Sequence, residues 1–261
     1  MWRERFALVC KLPARYCFNR PPICPICGGI TKQDDVCNTC RLRQPEYSAL
    51  RSWGVFNGSL QKAVHRLKYY RDIALGEVLA RNMVTCLLEQ HWLLDLVVPV
   101  PLGVARLAER GYNQAALLAK PIALACHLRY STKTLHRIRE TRSQVGLSLE
   151  ERRVNVKNSF AAEPFLSEGK NVLVIDDVAT SGATVNACAA ALRSAGAAQV
   201  FAVAVPKLVN IVFTPGKWGK IALNMCRSAI LLNTIAHFRF EVGEIVRHCK
   251  ALPNLERSHL F

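Results

Sequence analysis

The chain has 261 residues, 51% hydrophobic and 21% charged, a composition that excludes an intrinsically disordered or low-complexity protein. Lys and Arg outnumber Asp and Glu by 35 to 19, a net charge of +16 that favours an anionic substrate or a polyanionic partner. No apolar run reaches the ~18 uninterrupted residues of a membrane span, and Phe6 to Val9 is too short for the apolar core of a signal peptide, so an intracellular, cytoplasmic protein is expected. The charge is uneven: residues 100–160 carry 11 basic and 4 acidic side chains, whereas 161–207 carry 3 and 4.

Six of the 11 cysteines fall within the first 40 residues, and four of them form two Cys-x-x-Cys pairs, Cys24/Cys27 and Cys37/Cys40. Each pair is a tight knuckle that aims two thiolates at one point, and Gly28 and Gly29 follow the first knuckle, where the turn calls for positive φ. Two knuckles supply the four sulfurs of a tetrahedral zinc site, so the pattern predicts a structural zinc ribbon; redox dithiols or an iron–sulfur site are the alternatives. Cys10 and Cys17 are a looser pair, the remnant of a second set or plain thiols. Cys86, Cys126, Cys188, Cys226 and Cys249 stand singly in apolar surroundings and read as buried thiols.

Residues 59–68 and 72–90 read as helices. Lys68, between Leu67 and Tyr69, either enters a ligand crevice or lies along its helix with the ammonium in water. Leu96-Val-Val-Pro-Val-Pro101 reads as a buried strand ending at prolines. After it come Arg106, Arg110-Gly-Tyr-Asn-Gln114 and an Ala/Leu-rich helix running to about Leu128. Ligands of doubly wound sheets sit outside the carboxyl ends of the strands, so Arg106 and Arg110 are candidates for gripping an anion; the alternative is a solvated helix face with i, i+4 arginines. Ser148-Leu-Glu-Glu151 is a capping box that starts a short helix, and the polar stretch before it is a candidate lid.

The most informative stretch is 171–207. Val172-Leu-Val-Ile175 is a continuous aliphatic run, as in a strand covered on both faces. It leads into Asp176-Asp-Val-Ala-Thr-Ser-Gly-Ala-Thr184, a helix from Val185 to Ala195 stopped by Gly196, and a second strand from Gln199 to Val205. Small residues at a helix N-terminus present backbone N–H groups and hydroxyls to a phosphate: Ala179, Thr180, Ser181, Gly182, Ala183 and Thr184 are the candidates. Asp176 and Asp177 would repel phosphate and suit sugar hydroxyls or a divalent cation. A ligand with a ribose beside a phosphate satisfies both halves. Walker A and Gly-x-Gly-x-x-Gly patterns are absent.

The string 174–184 resembles the phosphoribosyl pyrophosphate (PRPP) motif of type I phosphoribosyltransferases. The resemblance implies that Asp176 and Asp177 hold the ribose 2′ and 3′ hydroxyls, that Ala179 through Thr184 hold the 5′-phosphate, and that Mg²⁺ accompanies PRPP. With the two knuckles, Leu67-Lys-Tyr69, Val98-Pro-Val-Pro101, Arg110–Gln114 and the Arg/Thr/Gln/Arg/Asn/Phe pattern of 139–160, the chain resembles the ComF family over roughly 20–207. That family joins a Cys-rich zinc module to a phosphoribosyltransferase-like domain and is associated with DNA uptake. The implied organisation is a Cys-rich zinc-binding module (1–48), an α/β domain of three layers around a mostly parallel sheet (49–207) and a basic tail (208–261). Two functions follow as expectations: Mg²⁺-dependent phosphoribosyl transfer from PRPP to an unknown acceptor, or a non-enzymatic accessory role in which zinc module and basic middle bind single-stranded DNA. No acceptor-specific base is evident; His127 and His136 are the nearby histidines.

Overall fold

The computed structural model describes residues 22–33, 35–56, 58–140 and 148–207. Cys10, Cys17, Cys226, Cys249, the candidate lid segment 141–147 and the tail from 208 onward lie outside the described residues.

The aliphatic run at 172–175 forms the strand that organises the domain. In chain order the elements are α1 (Asn38–Leu42), β1 (Ala49–Val55), α2 (Gly58–Tyr69), α3 (Ala74–Leu88), β2 (Leu96–Pro99), α4 (Val104–Arg110), α5 (Gln114–Ala125), β3 (Arg129–Tyr130), β4 (Leu135–Arg137), α6 (Leu149–Val156), β5 (Phe160–Ala162), α7 (Pro164–Ser167), β6 (Asn171–Asp176), α8 (Ala183–Ser194) and β7 (Gln199–Lys207). Five strands form one sheet in the order β1-β7-β6-β2-β3, all pairs parallel, while β4 and β5 pair separately as an antiparallel ribbon.

Parallel sheets need cover on both faces, and alternate residues of β6 meet the two covers. Leu173 and Ile175 pack with Leu60, Val64 and Leu67 of α2, Leu75, Leu79 and Met83 of α3, and Leu118 and Ile122 of α5. Val172 and Val174 pack with Val185, Cys188 and Leu192 of α8. This is the three-layer arrangement expected from the sequence. Helix α8 begins two residues before Val185, and Gly196, at φ +86, turns the chain toward β7.

Strand β1 carries no sequence signal that predicts it: Arg51, Ser52 and Gly54 interrupt its apolar residues. It pairs with β7 from Ala49↔Phe201 to Val55↔Lys207. Its buried Arg51 is satisfied by the Gln90 side chain (Nε to Oε1, 2.9 Å) and the Leu50 carbonyl (3.0 Å) and lies beside the Trp92 ring. Gln90 and Trp92 are distant in sequence, which is why local patterning misses the strand.

Candidate functional site

Strands β2 and β6 run in register from Leu96↔Val172 to Pro99↔Ile175, so their carboxyl ends open at one level. A cleft of about 620 Å³ lies there. Its walls are the β6–α8 turn, the Val100–Leu102 loop with Arg106 and Arg110 of α4, Arg137 of β4, and Lys68 and Tyr69 at the end of α2.

The turn is built from its own backbone. Asp176 Oδ1 accepts the Asp177 N–H at 2.8 Å, and the Ala179 N–H donates to the Pro206 carbonyl at 3.0 Å, tying the turn to β7. Gly182 precedes α8 with φ +74, and a Cβ there would lie 3.1 Å from the hydroxyl of buried Tyr47. The glycine is thus required by backbone conformation and by Tyr47 beneath it, in addition to any approach of a ligand. Ala179, Thr180, Gly182, Ala183 and Thr184 line the cleft at the N-terminus of the 12-residue α8, where the helix dipole favours an anion. Ser181 lines a neighbouring cleft instead, and its Oγ accepts the Ala183 N–H at 3.4 Å.

Asp176 and Asp177 are both buried at the end of β6. Burial, then the adjacent Asp177 charge, pushes the Asp176 carboxyl up to about 7, against the opposing pull of Lys68. Lys68 enters the crevice: its Nζ lies 3.1 Å from Asp177 Oδ2, with side-chain exposures of 22% and 6%. The contact is an ion pair without hydrogen-bond alignment, and Oδ2 makes no hydrogen bond among the described residues.

The Arg110–Gln114 segment forms the opposite wall. The Tyr112 hydroxyl donates to the Leu67 carbonyl, and Arg110 stacks over the Tyr69 ring at 5.0 Å. Asn113 caps α5 by accepting the Ala115 N–H at 2.9 Å and holds the end of β2 by donating to the Val100 carbonyl at 2.9 Å. Gln114 is buried on the cleft wall, its Oε1 without a hydrogen bond among the described residues. The structure therefore brings Arg106 and Arg110 to the cleft that holds the acidic pair.

Sequence reasoning missed Arg137 as a site residue. It reaches the cleft from the β4–β5 ribbon, over the Phe160 ring at 5.4 Å, and burial followed by the neighbouring Arg106 charge lowers its guanidinium pKa. A three-residue strand leaves no local pattern from which to find it. Neither histidine lines the cleft; His136 pairs with Glu163 at 3.3 Å.

Away from the cleft, the sulfurs of Cys24, Cys27, Cys37 and Cys40 lie within 4.8 Å of one another. Cys27 Sγ and Cys37 Sγ are 3.7 Å apart, close to the ~3.8 Å edge of a tetrahedron of sulfurs about 2.3 Å from zinc. Burial raises the Cys24 thiol, but N–H donors of Cys37, Cys27 and Ile26 outweigh it and bring it down to about 7. Burial and the Cys27 charge push Cys40 well up. Four crowded thiols cannot all ionise without a cation among them, which is the chemistry of a dication site. The module is anchored to β1 by the Leu50 N–H donating to the Ile26 carbonyl at 2.7 Å. Between this module, α6 and α8 lies a second cleft of about 1010 Å³, which meets the first at Gly182 and Ala183. Arg43 and Arg153, both on its wall, pair with Glu150 of α6 at 3.0 and 3.2 Å.

Residues 94–208 match the family described as a phosphoribosyl transferase domain. The chain is 33% identical over 198 residues to DNA utilization protein YhgH of Salmonella typhimurium, covering 74% of this chain and 87% of that protein. It is 28% identical over 187 residues to Competence protein F of Haemophilus influenzae, covering 69% and 82%. It is 30% identical over 186 residues to Competence protein ComFC of Bacillus subtilis, covering 67% and 73%.

Proposed function

From the chain's membership of the ComF family, whose phosphoribosyltransferase-like domain it carries, we propose that the cleft at the ends of β2 and β6 binds PRPP and supports transfer of its ribosyl group to an acceptor not yet identified. The observation that carries this reading is the convergence, in one cleft, of an acidic pair, a small-residue turn at a helix N-terminus and four cationic side chains, Lys68, Arg106, Arg110 and Arg137. Asp176 and Asp177 accept the ribose hydroxyls, Ala179–Thr184 take the 5′-phosphate, and the arginines face the diphosphate. Within the turn, Ser181 lines the neighbouring cleft and its Oγ accepts the Ala183 N–H, so it contributes through its backbone.

Mg²⁺ fits as a companion of the ligand: one carboxylate is already paired with Lys68, so the metal would ride on the diphosphate and neutralise its charge. Zinc fits Cys24, Cys27, Cys37 and Cys40, where it would hold the module together. On this reading residues 1–48 are the zinc module, 49–207 the ligand-binding domain and 208–261 a basic tail.

Calorimetry with Mg²⁺ present tests the proposal. PRPP binds the intact protein; Asp177→Asn weakens it by roughly 1.5–3 kcal/mol, the range for hydrogen bonds to a charged acceptor, and leaves inorganic phosphate unaffected. No PRPP binding removes the reading, and equal weakening of both ligands removes the ribose role of Asp177.

A second reading, an accessory protein for DNA uptake that binds single-stranded DNA, is favoured by the names of the relatives and by Arg43, Arg153 and Lys157 along the larger cleft. Such binding falls steeply with salt and tolerates Asp177→Asn.

A further inference from the structure

Lys68 stands between the two walls of the smaller cleft. Its neighbours are both tied to the opposite wall: the Leu67 carbonyl accepts the Tyr112 hydroxyl, and the Tyr69 ring lies under the Arg110 guanidinium at 5.0 Å. The backbone on either side is therefore held, and the mobile part is the four-carbon stem that carries the ammonium to Asp177 Oδ2 at 3.1 Å. That oxygen makes no hydrogen bond among the described residues, so it is an acceptor covered by a displaceable counter-ion rather than one already satisfied.

The consequence is an electrostatic condition on the ligand. A sugar whose hydroxyls donate to Asp177 must push the ammonium aside, and a largely buried cation left without an anion is costly. A ligand that brings its own anion next to those hydroxyls gives the ammonium a new partner. Resting on the ribose-phosphate reading of the cleft, we propose that Lys68 is a specificity-determining residue: it holds the ligand-free acidic pair closed and admits ribose phosphates that carry a diphosphate on the anomeric carbon over those that lack one.

The test compares PRPP with ribose 5-phosphate, both with Mg²⁺, by calorimetry on the full chain. For Lys68→Met, PRPP affinity falls about tenfold or more, because the diphosphate loses a cation, while ribose 5-phosphate binds several-fold more tightly, because nothing competes for Asp177. Lys68→Arg keeps the preference for PRPP. If Lys68→Met leaves a protein that does not fold, the comparison is made in an Asp177→Asn background, where no ion pair remains to strand. There Lys68→Met still weakens PRPP and leaves ribose 5-phosphate unchanged. A fall in both affinities by the same factor, or no change in either, overturns the proposal while PRPP binding by the unmodified protein upholds the site. Failure of the unmodified protein to bind PRPP overturns both.

Discussion

At the scale of single residues, burying Asp176 beside Asp177 carries an electrostatic cost. Asp176 keeps its proton to about pH 7 in the folded protein against an ordinary value of 3.8, because it is buried beside Asp177. The sign follows from proton counting. Between those values the folded state binds more protons than the unfolded state, so stability falls as pH rises from about 4 to 7 and stays lowered above that range. Asp176→Asn keeps the acceptor for the Asp177 N–H and cannot ionise. It should therefore raise the thermal midpoint at pH 8 by at least ~2–4 °C, the shift that about 1 kcal/mol gives in a domain of this size, with little gain at pH 4. Equal midpoint changes at the two pH values would show that burial of Asp176 carries no electrostatic penalty.

At the scale of elements, the cysteine module and β1 are mutually dependent. Gly28 has φ +64, and a Cβ on it would lie 2.7 Å from the Leu50 carbonyl, so the first knuckle sits directly on β1. Among its described residues the module buries only Cys24, Cys40 and Tyr47 of its apolar side chains, so a bound metal would supply stability that this small core lacks. Freshly purified reduced protein should hold one zinc per chain. Cys37→Ser should release it and lower the thermal midpoint, since the sulfur of Cys37 lies 3.7 Å from that of Cys27 and its N–H donates to Cys24 Sγ at 3.4 Å. Metal analysis showing less than a tenth of an equivalent in the unmodified protein would remove zinc from the account. Helix α6 is the contrasting case. Its capping box, with Glu151 N–H to Ser148 Oγ at 3.3 Å and Ser148 N–H to Glu151 Oε2 at 2.7 Å, is local and was legible from four residues.

At the scale of the whole molecule, the cover of the sheet sets the boundaries. The family match begins at residue 94, yet α2, α3 and β1 precede it. Those elements bury Leu60, Leu67, Leu79 and Met83 against Leu173, Ile175 and Val203 of β6 and β7. A fragment of residues 94–208 exposes that face and should aggregate or show no cooperative melt, whereas a chain ending after residue 210 keeps every strand through β7 and should retain PRPP binding. Soluble, cooperatively folding 94–208 would show that the N-terminal elements are dispensable; loss of folding on removing 211–261 would make the tail part of the core.

The sequence by itself determined the parts whose physics is local. A buried parallel strand announces itself as four consecutive aliphatic residues, and the strand-to-helix turn as a run of small residues before a helix. A cysteine knuckle is visible as two cysteines three apart, and a cap as Ser with Glu three residues on. Each is legible because its partners lie within one turn of the chain. Only the tertiary structure decided what depends on distant partners. It inserted β1 beside β7 through pairings 152 residues apart in sequence, such as Ala49 with Phe201. It also brought Arg137 to the cleft, placed Ser181 on the wall of the other one, and set Lys68 against Asp177 rather than in water. A lysine on a helix and an aspartate at a strand end carry no mark of each other. Their meeting is fixed by the packing of α2 on the sheet and by Tyr112 and Arg110 holding its last turn in place.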